Sequence, residues 1–175
     1  MATERKGLVT MRGTPLVLQG TELRVGDQAP DFVVRDAQWR KVRLRDFKGK
    51  VILISAVPSL DTSVCSLQTK RFNEEAAHLP GDVEVLTVSQ DLPFAQSRFC
   101  GAEGVQRIRV LSDHVEAKFG KAYGVLIKGM RLLARSVFVV DKDGRVAYVQ
   151  IVPELTEHPD YEAALTVARQ LSSEG

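Results

Sequence analysis

The sequence is poor in the residues that would staple or metallate it. Its 175 residues include two cysteines, three histidines and one tryptophan. Two cysteines do not make a disulfide framework, and with 44% hydrophobic residues the chain can build a full core without staples. His78, His114 and His158 are scattered. None stands at metal-ligand spacing with a cysteine, so a zinc site is not expected. There is no run of about 18 apolar residues, so no membrane-spanning helix is expected. An excess of one charge is also missing. Lysine and arginine number 24, aspartate and glutamate 22, for a net charge of +2. This balance gives no reason to expect nucleic acid or an anionic membrane as a partner. Arg35, Arg40, Lys41, Arg43, Arg45, Lys48 and Lys50 do cluster, but they alternate with apolar positions, as on the wet face of strands. Residues 1–6 are polar, and the next apolar stretch is broken by Arg12, Gly13 and Pro15. That pattern is not a signal peptide, and the expected location is the cytoplasm.

What is present is a clear alternation of elements. Residues 7–19 predict a small hairpin turning at Gly13-Thr14-Pro15, an appendage to the rest. Residues 32–35 and 41–44 predict two short strands. Residues 51–57 form a continuous apolar run, β-branched at several positions and ending at Pro58, which predicts a strand buried on both faces. A helix follows through about His78, with Leu67, Phe72 and Ala76 on one side and Pro80-Gly81 as its stop. Strands are predicted over 83–88 and 108–111, with a short helix over 94–101 between them. Ser112-Asp113 can cap another helix over 116–123. A hairpin over 132–140 and 145–152 turns about Asp141 to Gly144, and a helix over 161–171 closes the chain. The order predicts one α/β domain over residues 1–175, with a sheet of mixed strand direction.

The chemistry gathers after the central strand, where open α/β sheets place their sites. The segment reads Pro58-Ser59-Leu60-Asp61-Thr62-Ser63-Val64-Cys65. Asp61 and Thr62 suit a helix N-cap, so Cys65 is expected in the first helical turn. A thiol there faces unpaired N–H groups and the positive end of the helix dipole. Both favour the thiolate, which is the nucleophile. These residues alone leave a second reading open, in which both cysteines are ordinary core residues.

The segment fits Pro-x-x-x-Thr-x-x-Cys and resembles the active-site motif of the peroxiredoxins. With Gln68 to Glu75 added, it resembles their bacterial thiol peroxidase subfamily more narrowly. The first hairpin and Val25 to Phe32 resemble that subfamily's N-terminal extension. Arg98 to Gly104 resembles its resolving-cysteine segment, and Leu132 to Phe138 its arginine-bearing strand. The resemblance implies a thioredoxin-like sandwich with a mixed sheet and an N-terminal hairpin. It implies Cys65 as the thiol that meets peroxide and Cys100 as the thiol that closes an intramolecular disulfide with it. Arg135 would stabilise charge on the breaking O–O bond, and Thr62 would bond the thiolate and position the peroxide. Pro58 would shield the sulfur. The implied cycle uses hydrogen peroxide and organic hydroperoxides, thioredoxin as reductant and no metal, flavin or haem. A homodimer is also implied.

Other readings use the same residues. The thiol pair can serve a peroxide-responsive sensor, which oxidises once and signals. A non-catalytic scaffold would leave Cys65 untouched by peroxide. A Cys–His hydrolase would use His114 as base, but nothing near it in sequence suggests an orienting partner. Lys142-Asp143-Gly144 is turn chemistry. Trp39 reads as a loop or packing residue.

Overall fold

Residues 3–173 are described by a computed structural model. The chain begins with β1 (Glu4–Met11), β2 (Thr14–Gln19), β3 (Val33–Arg35), β4 (Lys41–Arg43), β5 (Val51–Ala56), α1 (Ser63–Ala76) and β6 (Val83–Ser89). It continues with α2 (Pro93–Glu103), β7 (Arg109–Ser112), α3 (Lys118–Ala122), β8 (Leu126–Ile127), β9 (Ser136–Val140), β10 (Val146–Ile151) and α4 (Tyr161–Ser173). The part of the polar start at Met1 and Ala2 lies outside the described residues.

The apolar run forms the centre of a seven-stranded sheet of order β10-β9-β5-β6-β7-β3-β4. β6 and β7 run parallel to β5, while β9 and the outer strands pair antiparallel. Every residue of β5 is buried. Val51 and Leu53 face one core with Phe72 of α1 and Ala164, Leu165 and Ala168 of α4. Ile52, Ile54 and Ala56 face the other, with Phe119, Tyr123 and Phe138. This is the two-residue period of a strand covered on both sides. Fully burying one such aliphatic side chain stabilises by about 1.5–3 kcal/mol, so β5 is the rigid support of whatever follows it. On the second face Phe119 stacks on Tyr123 at 4.6 Å, and the Tyr123 hydroxyl donates to the Pro30 carbonyl at 2.9 Å.

Several elements depart from the pattern. Leu67 is 49% exposed, and the buried stripe of α1 is Cys65, Gln68, Thr69 and Phe72. Two polar residues occupy core positions, so counting apolar residues misplaced the phase of the helix. The first hairpin turns at Arg12-Gly13, both at positive φ (49° and 83°), because Met11 pairs directly with Thr14. Two left-handed residues match the twist of a tight hairpin, and Pro15 lies within β2. The strand predicted from 132 starts at Ser136. Residues 132–134 instead turn back on β8, where Ile127 N–H donates to the Leu132 carbonyl and Ala134 N–H to the Val125 carbonyl. The helix after Asp113 is shorter than predicted, because Ala117 is left-handed and delays its start. Asp113 still caps it, accepting from Phe119 N–H and Gly120 N–H at 2.9 Å each.

The hairpin is also more than an appendage. β2 pairs with β8 to make a three-stranded sheet, and Val9 and Leu18 enter the core. Its tip is tied to a loop after β10. Thr10 N–H donates to the Pro153 carbonyl, and Leu155 N–H donates to the Thr10 carbonyl, both at 2.8 Å. The Glu154 carboxylate accepts from the hydroxyl and N–H of Thr156, from Gly13 N–H and from the Thr10 hydroxyl. The bonds from Thr156, with the others, hold that carboxyl well below the usual carboxylate range.

Candidate active site

β5 delivers the chain to buried Pro58, and a short loop then enters α1. Cys65 is the third residue of that helix and is wholly buried. Thr62 stands at the N-cap with extended backbone, as expected, but its hydroxyl does not cap the helix. It donates to the Ser59 carbonyl at 3.1 Å instead. The expected bond from Thr62 to the Cys65 sulfur is therefore not made in this state. Among the described residues no side chain caps the first turn, which leaves its backbone N–H groups open at the positive end of the helix.

Arg135 comes from the residue just before β9. It is 2% exposed, and a charge so buried is costly unless it is hydrogen-bonded. Nε donates to the Leu155 carbonyl at 2.9 Å and Nη1 to Gln68 Oε1 at 2.9 Å. Nη2 donates to Cys65 Sγ at 3.4 Å. No carboxylate among the described residues pairs with it. The sulfur is the one partner of the three that can carry a negative charge. No histidine among the described residues bonds that sulfur, and His114 spends its backbone N–H on the Ser112 hydroxyl.

Two partners of this arrangement were not read from the sequence as site residues. Gln68 lies three residues after Cys65 on the same buried face, and its amide is fixed at the other end by donating to Ser55 Oγ at 2.7 Å. Helical spacing from Cys65 was the available signal. The Leu155 carbonyl had none, since it is a backbone group from a loop 20 residues further on.

A cavity of about 730 Å³ opens on this cluster. Pro58, Thr62, Ser63, Val64 and Arg135 form one wall, and Met11, Arg12 and Thr14 of the hairpin form another. The site thus brings together Pro58, Thr62, Cys65 and Arg135. It does not include Cys100. That thiol is half-buried on α2 and lines a separate groove with Gln96, Arg40 and Val110. Both cysteines are free. Burial pushes the Cys100 thiol up from its ordinary value.

Comparison with known proteins identifies the family. The redoxin family model matches residues 24–165. The thiol peroxidase of Bacillus subtilis (strain 168) is 55% identical over 163 residues, covering 93% of this chain and 97% of that one. The chain belongs to the redoxin family, among its peroxiredoxin-type thiol peroxidases. The thiol peroxidase of Staphylococcus aureus (strain MRSA252) is 48% identical over 163 residues, 93% of this chain and 98% of that one. A solved peroxiredoxin-like protein from Aquifex aeolicus superposes with a TM-score of 0.89 at 44% identity, over 95% of this chain and 98% of its own. The thioredoxin-like fold with a mixed sheet, expected from the sequence, is the fold of this family. Among the described residues, no helix is long and apolar enough to cross a membrane.

Proposed function

We propose that this thiol peroxidase reduces hydrogen peroxide and organic hydroperoxides by a two-cysteine cycle. The contact of buried Arg135 Nη2 with Cys65 Sγ, at an uncapped helix start beside the cavity, carries the reading. The Cys65 thiolate attacks the terminal peroxide oxygen. An S–O bond forms as the O–O bond breaks, and two electrons pass from sulfur to oxygen. The leaving oxygen takes a proton from solvent and departs as water or an alcohol, which leaves a sulfenic acid. Negative charge grows on the leaving oxygen, and the Arg135 fork and the first-turn N–H groups are preorganised donors for it. Pro58 limits water at the sulfur, and Thr62 turns its hydroxyl from Ser59 toward the bound peroxide.

Cys100 then attacks the sulfenic sulfur. An S–S bond forms, the S–O bond breaks and water leaves. The two thiols face different cavities, so α2 must open first. Its fully buried residues are Pro93 and Gln96, and in residues 97–104 only Phe99 and Cys100 pack against the core, both partly buried. Segments with so little burial are the ones that open locally. An external dithiol, thioredoxin, restores both thiols. The whole chain acts as one domain in this scheme, in a cytoplasmic homodimer.

The test is one equivalent of peroxide on reduced protein, followed by intact mass and non-reducing peptide mapping. The expected product is a bridge between Cys65 and Cys100, with Cys65→Ser abolishing peroxide consumption. An untouched Cys65 would overturn the reading. Oxidation of Cys65 with Cys100 left free would remove the two-cysteine cycle and leave a one-cysteine enzyme or a sensor.

A further inference from the structure

Asp91 lies two residues beyond β6 and two before α2, outside the cluster at Cys65. Its carboxylate nevertheless accepts three hydrogen bonds beside the 58–62 loop. Oδ1 accepts from Ser59 Oγ at 2.8 Å. Oδ2 accepts from Leu60 N–H at 2.8 Å and from Ser89 Oγ at 2.8 Å. The backbone of Asp91 is held as well, since its carbonyl accepts from Ser112 Oγ at 2.6 Å and its N–H donates to Ser89 Oγ at 3.2 Å. Ser89 and Ser112 end β6 and β7 and are fully buried, so the carboxylate is fixed to the sheet. The bond to Ser59 then passes directly to the helix start, because the Ser59 carbonyl accepts both Thr62 N–H at 3.1 Å and the Thr62 hydroxyl.

We propose that Asp91 is the positioning residue that clamps the 58–62 loop to the sheet and thereby sets the first turn of α1 for the Cys65 reaction. The loop has little else to hold it in register. Thr62 is exposed, and its two bonds to Ser59 lie within the loop itself. Leu60 alone of residues 59–62 is buried. A carboxylate accepting two loop donors from a fixed base removes the freedom that remains. The same residue stays put while α2 opens. Gln96, the last buried residue of α2, donates to Ser89 Oγ at 3.0 Å and to the Leu111 carbonyl at 2.8 Å, so this network ends at Gln96, where the weakly anchored half begins. The clamp therefore keeps the Cys65 side rigid during opening on the Cys100 side. This inference rests on Cys65 being the peroxide-reactive thiol.

The experiment reads the first step alone, in a Cys100→Ser background, by quenched-flow mass analysis of Cys65 with hydrogen peroxide. Asp91→Ala is expected to slow Cys65 oxidation about 10- to 100-fold, the scale of a misplacement of about 1 Å. Asp91→Asn, which keeps an acceptor for Leu60 N–H, recovers part of the rate. Ser59→Ala reproduces part of the loss and serves if Asp91→Ala does not fold. Alkylation of Cys65 by iodoacetamide uses the same thiolate but needs no oriented peroxide, and is expected to slow much less than oxidation. Folded variants that oxidise at the parent rate would overturn the clamp. So would equal slowing of oxidation and alkylation in step with a lower melting temperature, which marks a merely structural role. A parent whose Cys65 does not react with peroxide would instead remove the reading beneath it.

Discussion

At the scale of single residues, Arg135 holds the site together. A buried guanidinium is costly unless its nitrogens find acceptors, and here each of the three nitrogens has one, two of them on α1 and one on the loop after β10. Lysine has the charge but not the planar fork, so it cannot hold Leu155, Gln68 and Cys65 at once. Arg135→Lys is expected to lower the rate constant of Cys65 oxidation about 10²–10³-fold, the typical cost of a lost preorganised donor, as read by stopped-flow. Arg135→Ala is expected to add a stability loss of about 1–3 kcal/mol in urea unfolding, because Gln68 Oε1 loses its buried partner. The spacing of Cys65 from Pro58 and Thr62 was legible in sequence. The Thr62 hydroxyl was not, because a threonine at an N-cap can bond either way and the choice depends on where Ser59 lies.

At the scale of elements, α1 and α2 differ in how they are held. α1 buries a stripe and sits on the sheet, while α2 keeps its Cys100 half near the surface. α3 depends on one buried carboxylate. Burial pushes Asp113 up to about 6, against bonds from Gly120, Phe119 and Gln90 that favour the charged form. Its folded value thus lies above its ordinary 3.8. Protonation therefore favours the folded chain, a contribution fully present below pH 3.8 and lost as pH rises through 6. The unfolding free energy of the wild type, relative to Asp113→Asn, is expected to grow by on the order of 3 kcal/mol as pH falls from about 7 to 4. Chemical denaturation at a series of pH values measures it, and a pH-independent difference would refute the assignment.

At the scale of the whole molecule, the N-terminal hairpin completes the site. It lines the cavity through Met11, Arg12 and Thr14, and it fixes the loop whose Leu155 carbonyl holds Arg135. The junction of hairpin and body admits no side chain at Gly20. A Cβ there would lie 2.1 Å from the Lys121 carbonyl oxygen, and its φ of +120° suits glycine. Gly20→Ala is expected to cost about 2–4 kcal/mol in denaturant titration and to raise hydrogen exchange across β1 and β2. Unchanged stability would mean that the hairpin is not anchored there.

The sequence alone determined the parts whose chemistry is local. A short, β-branched apolar run ending at Pro58 reads as a strand covered on both faces, and residues 58–65 after it place a cysteine in the first turn of a helix. The turn at Asp141 to Gly144 and the amphipathic last helix were legible for the same reason. Tertiary structure decided what depends on residues distant in the chain. The buried phase of α1 follows from Gln68 meeting Ser55 and Arg135, since a polar side chain enters a core only where partners await it. The shortened β9, the hairpin as a wall of the cavity and the separation of Cys100 from Cys65 arise likewise from packing between segments, which no local pattern encodes.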